Sequence, residues 1–78
     1  MPTLFEINGY RFFFYSNEND EPVHIHVSKG DAEAKYWINA NLDEAYSYGF
    51  KVRERKEIKI LVKENADKIT EKWNEFFK

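Results

Sequence analysis

The fold is decided by residues 21–27, Glu21-Pro22-Val23-His24-Ile25-His26-Val27. Val23, Ile25 and Val27 alternate with His24 and His26, which is the period-two pattern of a β-strand with one buried apolar face. Both imidazoles therefore point to the same side of the strand, about 7 Å apart at the usual rise per residue. They are the only histidines in the chain, and we expect them to emerge on an accessible surface.

The chain of 78 residues is long enough for one apolar core, so residues 1–78 are predicted to form a single domain. It has no cysteine, which excludes disulfides and thiolate metal sites, whereas 18% of its residues are aromatic and supply large buried areas. The N-terminal Met1-Pro2-Thr3 lacks the pattern of a signal peptide, and no apolar stretch is long enough to cross a bilayer. These features predict a cytoplasmic protein without a membrane partner.

Alternating apolar and polar residues predict two β-hairpins around the histidine strand. The other strands are predicted over Thr3–Ile7, Tyr10–Tyr15, Ala32–Ile38 and, with less regular alternation, Leu42–Tyr48. Asn8-Gly9 is a strong hairpin signal because both positions tolerate positive φ. Residues 16–22 are polar and aperiodic and are predicted to form a loop, and Lys29-Gly30-Asp31 is predicted to form the second tight turn.

From Arg53 onward the apolar period changes from two to about 3.6, which predicts helix. A single helix from Arg53 to Phe77 would be roughly 37 Å long at 1.5 Å per residue, longer than a domain of this size is wide. A break is therefore expected near Asn65, which would cap a second helix with Asp67 in its first turn, although the apolar stripe passes through Asn65 unbroken. The predicted fold class is α+β, with an antiparallel sheet of four or five strands followed by one or two C-terminal helices packed on one face.

Seven segments along almost the whole chain carry a family resemblance. They are Met1-Pro2-Thr3, Gly9-Tyr10-Arg11-Phe12-Phe13-Phe14-Tyr15-Ser16, the histidine strand at residues 21–27, Gly30-Asp31-Ala32-Glu33-Ala34-Lys35, Gly49-Phe50, Glu64-Asn65 and Trp73-Asn74-Glu75-Phe76-Phe77. On these residues the chain resembles the small bacterial proteins of the domain-of-unknown-function family 4160. The resemblance implies no settled activity. It implies a prokaryotic protein that is often encoded beside a second small protein in toxin–antitoxin-like pairs.

The start of the predicted helix departs from the pattern of that family. Relatives usually place a serine-like cap after Gly49-Phe50, whereas this chain has Lys51-Val52-Arg53. The helix start therefore lacks a side-chain acceptor and carries cations at the positive end of the helix dipole. We expect that an anion bound at this point would relieve both faults.

The pair His24 and His26 allows three interpretations. Two imidazoles on one strand face can share a metal with a carboxylate, but this spacing alone is a weak metal signal, and we predict no metal and no other cofactor. The pair can instead act as acid and base in phosphodiester cleavage, with Arg11 and Lys35 holding the phosphate, as suits a metal-independent ribonuclease. The third interpretation, structural histidines packed on the aromatic strand, carries the most weight.

Charge is divided unevenly along the chain. Residues 1–50 hold three basic and eight acidic residues, net −5, whereas residues 51–78 hold nine and six, net +3. The basic ridge, which we define as Lys51, Arg55, Lys59 and Lys63, repeats every four residues along one helix flank. Arg55 and Lys59 have no acidic residue three or four positions away. Such a ridge can contact phosphates or an acidic protein, but a solvated face is the commoner explanation, and no DNA-reading motif is present.

Two further features point to binding. Trp37 and Tyr15 share a predicted sheet face with the cations Lys35 and Arg11, a mixture typical of base-stacking platforms, although the aromatic residues of so small a domain more often belong to its core. Ile60 lies opposite the apolar stripe and could touch a second chain, although a lone exposed isoleucine is also ordinary. We predict a protein- or nucleic-acid-binding component of a toxin–antitoxin-like system, with RNA or a protein encoded nearby as partner. Its predicted contact residues are Arg11, Lys35, Trp37, Arg55 and Lys59. The alternative is a ribonuclease-like toxin with His24 and His26 as acid and base.

Overall fold

The computed structural model describes residues 3–16 and 20–77, which form a five-stranded sheet followed by two helices. The elements are β1 (Thr3–Ile7), β2 (Tyr10–Phe13), β3 (His24–Lys29), β4 (Ala32–Trp37), β5 (Glu44–Tyr48), α1 (Val52–Glu64) and α2 (Ala66–Phe76). This architecture confirms the α+β prediction, including the fifth strand. Strand ends differ from the predicted ones by one to three residues at several places; β2, for example, ends at Phe13 and not at Tyr15.

The sheet is an antiparallel meander in which each strand pairs with the next in the chain, in the order β1-β2-β3-β4-β5. Asn8 and Gly9 connect β1 to β2 with φ angles of 54° and 85°. Positive φ at both central positions is the geometry of the tight hairpin turn that the Asn-Gly dipeptide favours. The predicted first hairpin is therefore confirmed.

The strand register decides which side chains share a face. Across β2, β3 and β4, Phe12 pairs with Val27 and Val27 with Ala34, so these three side chains point to one side. In the adjacent rung of the sheet, Phe13 pairs with His26 and His26 pairs with Lys35. Because neighbouring rungs alternate between faces, these side chains point to the other side, as the sequence pattern predicts.

Both helices pack on the first of these sides, the helix face. The buried core joins residues of the sheet to residues of α1 and α2, namely Tyr10, Phe12, Phe14, Ile25, Val27, Ala34, Tyr36, Ile58, Leu61, Val62, Ile69 and Trp73. Burying an aliphatic side chain such as Ile58 or Ile69 contributes about 1.5–3 kcal/mol. This shared core fixes α1 and α2 against the sheet.

The predicted break near Asn65 is confirmed, but the predicted role of its side chain is wrong. Asn65 separates α1 from α2 with φ −113° and ψ 10°. Its side-chain Nδ2 donates to the carbonyl of Leu61 at 2.8 Å, so it satisfies the last turn of α1 and does not cap the start of α2. Its own carbonyl accepts from the Ile69 N–H at 2.9 Å and begins the second helix.

The start of α1 supplies its own anion. The carboxylate of Glu54 accepts the backbone N–H of Lys51 at 2.9 Å, which is half of a capping box. Lys29 lies 3.8 Å from the same carboxylate. The hydrogen bond from Lys51, more than the nearby cations, holds the pKa of Glu54 below its usual value. Glu54 thus places one anion at the helix start, but Lys51 itself makes no side-chain cap hydrogen bond, as its type predicts. The binding of an external anion at this point stays a prediction.

Candidate functional site

The two histidines lie on the side of the sheet opposite the helix face. We call this side the histidine face and define it by Arg11, Phe13, His24, His26, Glu33, Lys35, Trp37, Tyr46 and Tyr48. Its central rung runs from Phe13 through His26 and Lys35 to Tyr46, and in a second rung His24 pairs with Trp37. The sheet therefore brings the predicted residues Arg11, Lys35 and Trp37 to the same face as both histidines.

Both imidazole rings are nevertheless buried, so the expectation of an accessible histidine surface is wrong. His24 is 0% and His26 is 2% exposed. Trp37 and Trp73 contact the ring of His24 at centroid distances of 5.5 and 4.9 Å. Trp73 comes from α2 and also contacts Phe14, the first residue after β2, at a centroid distance of 5.0 Å. The ring of the second histidine stacks on Phe13 at 5.4 Å.

One hydrogen bond and one nearby carboxylate orient the ring of His24. Its Nδ1 lies 2.9 Å from the carbonyl oxygen of Pro22. Because a carbonyl only accepts, Nδ1 carries a proton and donates it. The Glu21 carboxylate lies 3.7 Å from the same nitrogen. Such contacts are typical of a structural histidine whose polar atoms are satisfied inside the fold.

A second hydrogen-bonded cluster joins His26 to the edge strand. The Tyr46 hydroxyl donates to Glu33 at 2.9 Å and lies 3.3 Å from Nδ1 of His26. The single hydroxyl proton is used on the carboxylate, so the phenolic oxygen accepts from the imidazole. Glu33 itself lies 3.6 Å from that nitrogen, and the Tyr15 hydroxyl lies 3.4 Å from both of its oxygens. This network locks the ring in place.

The two cations of the histidine face are held over aromatic rings. Lys35 Nζ lies 4.4 Å from the centroid of Trp37 and 2.6 Å from a Glu21 carboxylate oxygen. The Arg11 guanidinium lies 4.4 Å from the centroid of Phe13, and its Nε donates to Thr3 at 2.7 Å. Cation and ring attract each other in this geometry. The charge of Lys35 is compensated locally, which weakens its predicted role as a phosphate ligand.

The histidines do not join a metal-binding cluster in the described chain. Over residues 3–16 and 20–77, no group of three His, Asp or Glu side chains is arranged to hold a metal ion. The two histidine–carboxylate pairs instead sit side by side, with the ring centroids 5.1 Å apart. Each histidine thus has its own acidic neighbour, Glu21 for His24 and Glu33 for His26.

The other two predicted contact residues, Arg55 and Lys59, lie on α1 and not on the histidine face. Arg55 makes a two-point contact with Glu44 of β5, at 2.7 Å from Nη2 and 3.1 Å from Nε. The Tyr36 hydroxyl, which is on the helix face, donates to the same carboxylate at 2.8 Å. The five predicted contact residues therefore form two separate groups, and no single site contains them all.

The contact between α1 and β5 also compensates part of the positive charge of the basic ridge. The hydrogen bond from Arg55, more than any other contact, lowers the pKa of Glu44, and the charge of Lys59 lowers it further. The same hydrogen bond raises the pKa of Arg55. Sequence reasoning found no partner for Arg55 within one helical turn; the partner is eleven residues away and reaches it through the fold.

A cleft that sequence reasoning did not predict opens along the outer side of α1. This α1 cleft has a volume of about 630 Å³. Its walls are formed by Asn8, Val52, Arg53, Lys56, Glu57, Ile60 and Leu61. Val52 is 64% and Ile60 58% exposed. The sequence pattern had singled out Ile60 alone, because Val52 stands at the helix start, where the apolar period is not yet readable.

These observations define a small α+β module with a helix-packed core, a face of buried histidines and an open cleft on α1. Residues 9–74 match the family of the domain of unknown function DUF4160. That match spans most of the chain, so the protein belongs to this family. No curated protein and no solved structure matches the chain. Among the described residues, neither helix is long and apolar enough to cross a membrane.

Proposed function

We propose that the protein is a binding component that captures a second protein through the α1 cleft. The family resemblance supports placing the protein in a two-gene, toxin–antitoxin-like pair in the cytoplasm of a prokaryote. The observation that carries the proposal is the exposure of Val52 and Ile60 among cations of the same helix. The partner would be the small protein encoded beside it.

Burial of these two side chains supplies a driving force for association. A fully buried valine or isoleucine side chain is worth about 1.5–3 kcal/mol relative to the exposed state, and a few such anchors carry most of the energy in protein interfaces. Val52 and Ile60 stand eight residues apart on α1, about 12 Å along the helix axis. They therefore provide two anchor points on a helix that the buried core and the pair of Arg55 with Glu44 attach to the sheet.

The histidine pair supports binding less directly, through the scaffold. His24 and His26 are buried among aromatic rings and their Nδ1 atoms are engaged by Pro22 and Tyr46. An acid–base pair must reach the substrate within hydrogen-bond distance. Burial leaves the ribonuclease alternative without a favouring observation, whereas it suits a role in holding the sheet that supports α1.

The proposal is tested by expressing the protein together with the product of the adjacent gene. We expect a stable complex that survives size-exclusion chromatography, and we expect Ile60→Glu to break it because the substitution places a charge at the apolar anchor. Tyr48→Glu is the matched control, since it places the same charge at a side chain that is 69% exposed on the histidine face and does not line the α1 cleft. A complex that persists in Ile60→Glu overturns the proposal.

A second candidate function is supported by the stacked cations of the histidine face. The partly exposed Trp37 under Lys35 and the exposed Tyr48 of the same face resemble the mixture of rings and cations that holds unpaired bases. We propose single-stranded RNA as the ligand of this surface. Stacking is worth about 1–3 kcal/mol per base, so Trp37→Ala should weaken binding of a labelled oligonucleotide about tenfold or more. Unchanged binding overturns this candidate.

A further inference from the structure

We infer that the occupant of the α1 cleft is an acidic amphipathic helix of the partner protein. This inference rests on the proposed function, because it specifies the chemistry of the segment that the cleft takes. It is carried by three features of α1: its uncompensated cations, the line formed by its two exposed aliphatic residues, and the volume of the cleft beside them.

The two cations that line the cleft make no ion pair of 4 Å or less with any described residue. Residues 51–64 hold six basic and three acidic residues. Over residues 3–16 and 20–77, the ion pairs of 4 Å or less that involve this helix are Lys29–Glu54 and Arg55–Glu44. Arg53 and Lys56, which line the cleft, are in neither pair. An acidic partner would supply the missing charges, and charge complementarity of this kind steers association and fixes the register of the bound segment.

The spacing of the exposed residues along α1 is suited to packing against a second helix. Val52, Lys56 and Ile60 follow each other at four-residue intervals, so they form one line on the helix surface. The line places a cation between two apolar anchors. A partner helix presents apolar residues at comparable intervals when it lies in a groove, with its charged residues at the edges. The cleft volume of about 630 Å³ leaves room for such side chains beside α1.

The anchors argue for a protein partner over a nucleic acid. Binding to a phosphate backbone is driven by cations and by release of counterions, and exposed aliphatic side chains add nothing to it. Val52 and Ile60 gain free energy only when apolar groups cover them. A surface that combines both features is suited to a helix that carries carboxylates beside leucine or isoleucine.

One acidic residue inside the cleft predicts a further effect. Glu57 lines the cleft and accepts the Tyr10 hydroxyl at 2.6 Å. Its charge opposes an acidic ligand, whereas a glutamine at this position keeps an oxygen that accepts the same hydrogen bond. Glu57→Gln should therefore strengthen binding of an acidic helix, by about threefold to tenfold for a partly exposed charge.

Stapled helical peptides of about 14 residues, or four turns, test the inference with the full-length protein. The first peptide carries leucines at positions that face the cleft and glutamates on both flanks. The second replaces each glutamate with glutamine and the third with lysine. We expect the glutamate peptide to bind about tenfold more tightly than the glutamine peptide and to weaken as salt is raised, and the lysine peptide not to bind.

Matched variants locate the effect on the protein. Lys56→Glu should remove the preference for the glutamate peptide, and Glu57→Gln should increase it. Lys72→Glu on α2 makes the same charge change away from the cleft and should leave the preference for the glutamate peptide unchanged. Near-ultraviolet circular dichroism checks that each variant is folded.

The inference is overturned by equal binding of the glutamate and glutamine peptides, by failure of all three peptides to bind, or by an RNA oligonucleotide that displaces the glutamate peptide in a Lys56-dependent way. These results leave the proposed function separately testable, because the dependence of the complex with the neighbouring gene product on Ile60 is measured without any peptide.

Discussion

Arg55 of α1 and Glu44 of β5 form a two-point ion pair, with Nη2 2.7 Å from Oε1 and Nε 3.1 Å from Oε2. The pair joins the first half of the helix to the edge strand of the sheet. Tyr36 completes the contact by donating to the same carboxylate at 2.8 Å. The surface of α1 that carries Val52 and Ile60 is thereby tied to the sheet by polar contacts in addition to the apolar core.

This ion pair predicts a loss of stability in acid. The hydrogen bond that Arg55 donates to Glu44 depresses the pKa of this carboxyl below the usual 4.5. A depressed pKa of the folded state means that the stabilisation is fully present above about pH 4.5 and is lost as the pH falls through the folded pKa. We expect the melting temperature of the wild type to exceed that of Glu44→Gln by a few degrees at pH 7.

Calorimetry at decreasing pH checks this prediction. The difference in melting temperature between wild type and Glu44→Gln should shrink below pH 4.5, because the wild-type carboxyl is then protonated too. Glu71→Gln on the exposed side of α2 is the control and should show no such difference. A gap between wild type and Glu44→Gln that stays constant down to about pH 2 would contradict the assignment.

Tyr10 and Glu57 predict the opposite response, a loss of stability in alkali. Burial, together with the hydrogen bond to Glu57 at 2.6 Å, raises the pKa of Tyr10 to about 12. The raised pKa favours the protonated phenol in the folded state. Its stabilisation is therefore complete below the unfolded value of about 10 and is lost as the pH rises from 10 towards 12.

Urea unfolding of wild type and Tyr10→Phe measures this effect. At pH 8 the free energy of unfolding of the wild type should be larger by about 1 kcal/mol, the typical worth of one hydrogen bond. The difference should fall towards zero near pH 12. Burial and the hydrogen bond to Glu44 raise the pKa of Tyr36 in both proteins, so the titration of Tyr36 cancels in the comparison. If the difference in the free energy of unfolding between wild type and Tyr10→Phe grows as the pH rises, the assigned direction of the Tyr10 pKa shift is contradicted.

The buried histidines are predicted to be structural. Replacing His26 with alanine removes a ring that stacks on Phe13 at 5.4 Å and leaves the Tyr46 and Glu33 cluster without its imidazole. The cavity and the lost hydrogen bond should together reduce the free energy of unfolding by about 2–4 kcal/mol. Chemical denaturation measures it, and an exposed substitution such as Lys63→Ala provides the baseline. A His26→Ala protein as stable as wild type would disprove the structural role.

The same burial makes a prediction about RNA. Purified protein should leave single-stranded and structured RNA intact between about pH 5 and pH 8, the range in which histidine acid–base catalysts usually act. Gel electrophoresis after long incubation, with and without added divalent metals, measures the fraction of RNA that stays intact. Cleavage that disappears in His24→Ala, while the melting temperature stays at the wild-type value, would establish the ribonuclease alternative instead.

Much of the fold was predictable because it follows local rules. Alternation assigned Phe12 and Phe13 to opposite faces of the sheet, and the Asn8-Gly9 pair located the first hairpin. The limit on helix length predicted the break at Asn65. Each of these features depends on residues within a few positions of one another, where the chemistry of a single residue or the period of a short segment is decisive.

The site was less predictable because it depends on distant contacts. Alternation showed that His24 and His26 share a face, but nothing local indicates that Trp73, nearly fifty residues away, covers the first of them. The partner of Arg55 was missed for the same reason. The wall of the α1 cleft includes Asn8 of the first hairpin turn beside residues of α1, a juxtaposition that no periodic pattern encodes.

The central claim, that the exposed aliphatic residues of α1 bind a second protein, is tested most directly by titration calorimetry. The wild type and Ile60→Glu are each titrated with the purified product of the adjacent gene. We predict that the substitution weakens the complex about thirtyfold or more, the loss of one apolar anchor worth about 2 kcal/mol. Equal affinities for the two proteins, or no binding by the wild type, would contradict it.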